Sequence, residues 1–162
     1  MLAWFLDPQG DHGCGDGLLR ALLLRLRARL GDGFPPAPAT GCSVQVEECA
    51  PGDRSNRMDI TVDDPGFFLI IEVKIDAGEQ SWQMERYCDI AVARAAGHRP
   101  WAAIYLTRDG RAPDTAGRYK DRNEIVCFSW CDLSGDLRRV AQGVTPIPAF
   151  LIRGYADHIA TL

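Results

Sequence analysis

Two acidic residues and a lysine stand close together along the chain, in a region rich in β-forming residues. Asp59 lies in one β-rich segment, and Glu72 and Lys74 stand two residues apart near the end of the next. Because alternate residues of a strand share a face, Glu72 and Lys74 are expected to point the same way. Two carboxylates with room for water are hard oxygen ligands of the kind that Mg²⁺ or Mn²⁺ accepts. The chemistry that such a group supports is hydrolysis of a phosphodiester, with Lys74 orienting the water or stabilising the developing charge.

The segment that carries these residues is predicted to form an antiparallel hairpin. Two β-rich runs, residues 57–62 and 67–75, flank an Asp-Asp-Pro-Gly turn. A turn of four residues pairs Asp59 with Ile70, which puts Asp59 diagonally across from Glu72 at about 7–8 Å between backbones. The opposite face of the hairpin is wholly apolar and is assigned to the core. It comprises Met58, Ile60, Val62, Phe67, Leu69, Ile71 and Val73.

The spacing of these residues does not identify a site by itself. An acidic-x-Lys triplet arises by chance on the order of once in a chain of this length. The other interpretation is that Asp59, Glu72 and Lys74, together with Arg57, form a solvated and salt-bridged sheet face that contributes little to stability. Lysine is scarce, however, because only Lys74 and Lys120 among the 18 basic residues are lysines. A surface ion pair in this chain would more often use arginine.

Hydrophobic periodicity and turn-forming residues predict the elements that must position these side chains. The predicted elements are helices over residues 16–30, 79–96, 132–142 and from Phe150 onward, strands over 43–49, 101–107 and 124–130, and a turn over 51–56. Three tryptophans in apolar company, Trp82, Trp101 and Trp130, are assigned to the core. The order predicts one mixed α/β domain over residues 1–162, with a sheet between helices.

Composition limits the classes of protein that fit. The chain has 162 residues, of which 46% are hydrophobic and 25% charged, and this excludes a disordered or coiled-coil protein. No apolar run reaches the roughly 18 residues of a membrane span, and no signal peptide is recognised, so a cytoplasmic location without membrane contact is expected. The net charge of −4 argues against non-specific coating of nucleic acid. The six cysteines are scattered, which indicates neither a zinc site nor a disulfide framework.

Further motifs surround the acidic residues and Lys74. Asp59 precedes Glu72-Val73-Lys74, and a Gln-x-x-x-Tyr pattern follows at Gln83 and Tyr87. Together they resemble the PD-(D/E)XK nuclease superfamily, although Met58 stands where the superfamily name has proline. The chain is similar to a small bacterial branch of single-domain proteins with Leu-Asp-Pro and His-Gly-x-Gly segments near the start. The resemblance implies a restriction-endonuclease-like fold, an αβββαβ core with a mixed central sheet flanked by helices.

The same resemblance implies a metal-dependent nuclease that hydrolyses phosphodiester bonds in DNA, with RNA as the other nucleic acid to consider. It implies that Asp59 and Glu72 hold Mg²⁺ or Mn²⁺, that Lys74 serves the attacking water, and that Gln83 lines the site from a helix. Tyr87 follows one turn later on the same helical face.

Several other residues are candidates for the same site. A third carboxylate often completes such sites, and Glu47 is favoured for this place because a strand with its valines in the core turns Glu47 outward. Glu48 is the competing candidate. His12 and Asp16 are candidates for approach from the first helix, although a histidine in a glycine-rich turn more often serves local hydrogen bonds. Candidates for nucleic-acid contact are Arg57, Arg118, Lys120 and Arg122.

A second function fits the same motifs. A catalytically silent domain of this fold would act as a binding or regulatory module in a larger nucleic-acid-processing or defence complex. The acidic charge balance and the lack of a recognisable DNA-reading segment favour it. A sugar- or nucleotide-binding module is less compatible, because no glycine-rich loop follows a predicted strand. Association as a homodimer or with a partner protein stays open.

Overall fold

The computed structural model describes residues 1–50 and 53–162, and at residues 50 and 53–56 it describes the backbone only. The elements are α1 Leu2–Leu6, α2 Gly17–Leu30, β1 Ser43–Ala50, β2 Asp53–Asp64, β3 Phe67–Val73, α3 Gln83–Ala95, β4 Trp101–Thr107, β5 Ile125–Ser129, α4 Trp130–Val140 and α5 Pro146–Ile159, with one turn of 3₁₀ helix at Gly117–Tyr119. The predicted order of a helix, three strands, a helix and a strand is confirmed. The short helix α1 was not predicted.

The strands form one five-stranded sheet in the order β1-β2-β3-β4-β5. The pairs β1–β2 and β2–β3 are antiparallel, whereas the pairs β3–β4 and β4–β5 are parallel. The parallel pair β3–β4 requires a crossover connection, which α3 provides. The predicted mixed sheet flanked by helices is therefore confirmed.

The two faces of the sheet are covered by different helices. α1, α2, α4 and α5 pack on one face and enclose the larger apolar cluster. α3 covers the other face, where Cys88 and Ala91 allow close approach to Phe68, Ile70 and Ala103 of the sheet. No helix in the described part of the chain is long and apolar enough to span a membrane. Because β3 lies between these two layers, a polar side chain on it can reach solvent only near its end.

The turn between β2 and β3 is tighter than the four-residue turn predicted over residues 63–66. β2 runs to Asp64 and β3 begins at Phe67, so only Pro65 and Gly66 connect them. The buried carboxylate of Asp64 accepts a hydrogen bond from the backbone N–H of Gly66 at 2.7 Å. Aspartate commonly closes turns in this way, by bonding the backbone two residues ahead.

The shorter turn moves the register of the hairpin by two residues. Ile60 pairs with Ile71, so the predicted pairing of Asp59 with Ile70 is wrong. Asp59 and Glu72 are the next residues of their strands, and the register places them directly opposite each other. Since the shift is even, side chains of the paired region keep their predicted faces. This register brings the backbones at residues 59 and 72 closer together than the predicted diagonal arrangement.

The alternation of side chains on β1 and β2 reverses at one point. Glu47 has a left-handed φ of 54°, which residues other than glycine seldom adopt. Beyond it, the paired residues Glu48 and Met58 both lie on the α3 side of the sheet, where Glu48 forms an ion pair with Arg94 of α3. Met58 is buried in the α3 cluster, so the prediction that it shares the face of Ile60 is wrong.

Three helices begin two or more residues away from the predicted start. α5 starts at Pro146 rather than at Phe150, since proline is tolerated in the first turn of a helix. α3 starts at Gln83 rather than at residue 79, because the preceding Trp82 has a left-handed φ of 57° that the helix cannot include. α4 starts at Trp130, since Ser129 caps it and exchanges hydrogen bonds with Asp132. Asp132 is thus the third helical residue of a capping box rather than the cap itself.

Two further predictions are wrong in part. The turn predicted over residues 51–56 extends too far, because β2 already begins at Asp53; residues 51–52 lie outside the described part of the chain. Trp82 does not belong to the core, since 63% of it is exposed, whereas Trp130 is buried as predicted and Trp101 is half-buried.

The left-handed Glu47 leads to a prediction about stability. Glu47→Gly is expected to be more stable than Glu47→Ala by about 1 kcal/mol, because glycine adopts positive φ without the steric cost of a Cβ atom. The exposed ion pair with Arg57, 3.5 Å long, is lost in both variants and contributes little. Urea unfolding of the two purified variants measures the difference. Equal stabilities would contradict a left-handed backbone at this position.

Candidate active site

A solvent-open cavity of about 200 Å³ lies where the middle of β2 and the end of β3 meet the start of α3. Asp59 comes from β2, Glu72 from β3, Lys74 from the residues just after β3, and Gln83 from the first turn of α3. The structure thus brings together all four residues that the sequence predicts as catalytic. The cavity is lined by Arg57, Asp59, Glu72, Val73, Lys74, Ala77, Gln80 and Gln83.

Glu72 is the most buried acidic residue of this cavity, with 2% of its surface exposed. Its Oε1 accepts hydrogen bonds from Lys74 Nζ at 2.8 Å and from Gln83 Nε2 at 2.7 Å. Its Oε2 is also buried and has no hydrogen-bond partner among the described residues. The pKa of Glu72 is raised to about 7, chiefly because burial disfavours the charged form; the negative charge of Asp59 acts in the same direction, whereas Lys74 and Gln83 act against it. One oxygen is held in place and the other remains for a ligand.

Asp59 is fixed beside Glu72 by a hydrogen bond to the backbone. Its Oδ2 accepts the N–H of Val73 at 2.8 Å. The described ladder between β2 and β3 extends to the pair Ile60–Ile71, so the carboxylate bonds the backbone just beyond the last ladder pair. Both acidic side chains therefore meet at the point where the two strands stop pairing.

Lys74 carries an ammonium group whose side chain is only 9% exposed. Besides its ion pair with Glu72, Nζ donates to the carbonyl of Gly78 at 3.2 Å. An ammonium group has three N–H donors, so these two bonds to described residues leave one for a water or a phosphate oxygen.

Gln83 is held by bonds at both ends of its amide. Its Nε2 donates to Glu72 and to Tyr87 Oη at 3.1 Å, while its Oε1 accepts the backbone N–H of Gln80 at 3.2 Å. Tyr87 Oη in turn donates to the backbone carbonyl of Arg57 at 2.7 Å, which ties α3 to β2. Tyr87 is buried and does not line the cavity. It supports Gln83 from behind, as the shared helical face suggests.

The structure brings neither candidate for a third carboxylate to Asp59 and Glu72. Glu47 is 66% exposed in its side chain, does not line the cavity and pairs with Arg57 at 3.5 Å. Glu48 accepts the hydroxyl of Thr61 at 2.6 Å and pairs with Arg94 at 2.9 Å. Within residues 1–50 and 53–162, no group of three or more His, Cys, Asp and Glu side chains is arranged to hold a metal.

His12 and Asp16 have local contacts away from the cavity. His12 is buried; its Nδ1 accepts the backbone N–H of Cys14 at 3.1 Å, and its Nε2 donates to the carbonyl of Asp7 at 2.8 Å. Asp16 pairs with Arg20 one turn along α2 at 2.7 Å. Both contacts stabilise the N-terminal segment.

Among the basic candidates for nucleic-acid contact, Arg57 is the one that lines the cavity in the described structure. Arg118 forms an ion pair with Asp89 of α3, and Arg122 pairs with Glu124 at 2.6 Å. The loop between β4 and β5 carries Arg118, Lys120 and Arg122. The positive charge of its two arginines is thus balanced by acidic neighbours.

Sequence reasoning missed the role of Glu79. Its side chain is 6% exposed, and it accepts hydrogen bonds from Tyr105 Oη at 2.9 Å and from the backbone N–H groups of Asp114 and Thr115 at 3.0 and 2.9 Å. Burial acts to raise the pKa of Glu79, but these hydrogen bonds and that of the Thr115 hydroxyl outweigh it and lower the pKa. The first turn of the predicted helix over residues 79–96 is an ordinary place for an exposed acid, and the sequence offers no signal for these distant partners.

Glu72 and Glu79 have opposite pKa shifts, which leads to a prediction for the metal-free protein. Because folding raises the pKa of Glu72 from 4.5 to about 7, its contribution to stability is complete below pH 4.5 and is lost as the pH rises through 7. Relative to wild type, Glu72→Gln is therefore expected to gain stability across that window, on the order of 3 kcal/mol in total.

Glu79→Gln is the matched control, and its effect on folding stability is expected to have the opposite sign. The lowered pKa of Glu79 contributes stability above its ordinary value of 4.5, and this is lost as the pH falls below it. That variant is expected to be less stable than wild type at neutral pH. Urea unfolding of all three proteins from about pH 4 to about pH 8 gives the comparison. A constant difference between Glu72→Gln and wild type would contradict the raised pKa of Glu72.

The site and fold can be compared with known proteins. The family model of the PD-(D/E)XK nuclease superfamily matches residues 1–155 of the chain. No curated protein and no solved structure shows a significant match. The matched range includes the whole sheet and the four side chains Asp59, Glu72, Lys74 and Gln83. The family resemblance inferred from the motifs is thus confirmed, and the chain belongs to the PD-(D/E)XK nuclease superfamily.

Proposed function

We propose that this protein is a metal-dependent nuclease that hydrolyses phosphodiester bonds in DNA. The observation that carries the proposal is the carboxylate of Glu72, whose Oε1 is held by Lys74 and Gln83 while its buried Oε2 has no partner in the described chain. A buried polar atom without a partner costs about 1–3 kcal/mol. A cation bound between Glu72 and Asp59 would remove that cost.

Asp59 and Glu72 fit a hard divalent cation. Mg²⁺ is commonly bound through one or two carboxylates and keeps several waters, with substrate phosphate oxygens completing its shell. Two protein ligands therefore suffice without Glu47 or Glu48. When bound, Mg²⁺ or Mn²⁺ would lower the pKa of a water and neutralise charge on the phosphate.

Lys74 is proposed to orient the attacking water and to stabilise negative charge as it develops on the phosphate. Its ammonium is anchored by Glu72 and by the carbonyl of Gly78, so the remaining N–H has a defined direction. Little solvent reaches this group, and a charge in such surroundings interacts more strongly than one in water.

Gln83 is proposed to position Glu72 rather than to take part in the chemistry. Its amide is held by Gln80 and Tyr87 and donates to Oε1 of Glu72. This arrangement selects one orientation of the carboxylate, with Oε2 left for the ligand. Supporting bonds of this kind hold a site close to its working geometry before the ligand arrives.

A catalytically silent binding module is the second candidate function. The acidic net charge and the ion-paired arginines of the β4–β5 loop favour it, as does the lack of a third nearby carboxylate among the described residues. Such a module would keep the fold but would not need to bind a cation at Asp59 and Glu72.

Cleavage assays test the nuclease proposal. Asp59→Asn, Glu72→Gln and Lys74→Ala are each expected to lower the rate at least about a hundredfold, because each removes a charged group that acts on the reacting phosphate. Asp32→Asn is the control, since Asp32 has a 90% exposed side chain outside the cavity. Labelled single- and double-stranded DNA and RNA are incubated with Mg²⁺, Mn²⁺ or EDTA. Wild-type rates in the Glu72 variant, or equal cleavage in EDTA, would contradict the proposal.

Calorimetric titration with Mn²⁺ separates the two candidate functions. The wild-type protein is expected to bind Mn²⁺, and Asp59→Asn is expected to abolish binding because it removes a charged ligand. Gln83→Ala is expected to weaken binding about 10- to 100-fold, since a residue that only orients a ligand has a smaller effect. Asp32→Asn again serves as the control. Absence of binding to the wild type would favour the silent module.

A further inference from the structure

Trp82 is an exposed aromatic residue on the short segment that supplies Gln80 and Gln83 to the cavity, although it is not itself part of the lining. It stands between Gln80 and Gln83, both of which line the cavity, on the turn that begins α3. Its exposed fraction is 63%, and its ring makes no aromatic or cation–π contact among the described residues. A side chain of this size is well buried on average. A broad, uncharged surface is thus presented to solvent by the residue just before Gln83.

The backbone that carries this ring is held on both sides. The N–H of Gln83 bonds the carbonyl of Gln80 at 3.1 Å, and the N–H of Arg86 bonds the carbonyl of Trp82 at 3.0 Å. Trp82 itself has the left-handed conformation, with φ 57° and ψ 23°. The ring therefore projects from a fixed point at the end of a helix, so a ligand that packs on it has little backbone freedom to remove.

Contacts to phosphate are limited near this cavity. Arg57 is paired with Glu47, and Lys74 with Glu72. The first N–H groups of α3 are also occupied; those of residues 84 and 85 bond the hydroxyl and the carbonyl of Thr115. The number of free positive groups sets the electrostatic part of nucleic-acid affinity. An uncharged contact would therefore add to the affinity that these paired groups provide.

We propose that Trp82 stacks on an unpaired nucleobase beside the cleaved phosphate, so that the substrate is single-stranded or is unpaired at the point of cleavage. This inference rests on the proposed nuclease function. Every base has a flat π face, so stacking on an aromatic ring is tolerant of sequence. Inside an intact duplex both faces of a base are covered by its neighbours, and unstacking carries a cost.

Fluorescence anisotropy with three labelled probes tests the proposal. The probes are oligothymidine, an abasic oligomer with the same number of phosphates, and a duplex of equal length, all in EDTA to prevent cleavage. Wild-type protein is expected to bind oligothymidine about 5- to 100-fold more tightly than either other probe. Trp82→Ala is expected to remove this preference and to leave the affinity for the abasic probe unchanged, while Trp82→Phe retains most of it.

Phe150→Ala is the matched control, because Phe150 is an aromatic residue of α5 that is 76% exposed and lies away from the cavity. It is expected to bind all probes like the wild type, and circular dichroism checks that each variant is folded. Unchanged binding of oligothymidine by Trp82→Ala, or equal binding of duplex and single strand by the wild type, overturns the stacking proposal alone. If the wild-type protein neither binds nor cleaves any nucleic acid, the proposed function is overturned as well.

Discussion

The candidate site depends on the burial of one carboxylate at the end of β3. Glu72 lies between the sheet and α3, where water cannot satisfy both of its oxygens. Lys74 and Gln83 bond one of them, which requires β3, the segment after it and the first turn of α3 to meet at this point. In the proposed function a bound cation would remove the energetic cost of the other oxygen, and the negative charge of Asp59 adds to that cost in the metal-free protein.

A second buried carboxylate, that of Glu79, supports this arrangement, and its pKa is shifted in the opposite direction to that of Glu72. Glu79 accepts hydrogen bonds from Tyr105 and from the loop residues Asp114 and Thr115, and Thr115 bonds the first N–H groups of α3. The residue before Glu79 supplies the carbonyl that holds Lys74. Glu79, whose two carboxylate oxygens accept hydrogen bonds, thus stabilises the segment on which Glu72, with one unpartnered oxygen, depends. Active sites often combine such a strained group with a rigid support.

The charges of the surface bear on how strongly this chain would attract a nucleic acid. The chain carries a net charge of −4, and several arginines are paired with acids of neighbouring elements. An arrangement of this kind limits non-specific attraction of a polyanion and leaves recognition to a few groups near the cavity. In that setting the proposed stacking on Trp82 would contribute a contact that salt does not screen.

The sequence alone determined the features that depend on local alternation and on hydrophobic periodicity. Glu72 and Lys74 share a strand end, the apolar face of β3 faces the core, and the order of helices and strands follows from breaker residues. The tertiary structure decided what depends on distant partners. Asp64 closes a tighter turn, which shifts the register. The alternation of side chains reverses near the left-handed Glu47, and Met58 lies on the other face. The surroundings of Glu79 and the exposure of Trp82 likewise depend on elements far apart in the chain, because burial is a property of the packed fold rather than of neighbouring residues.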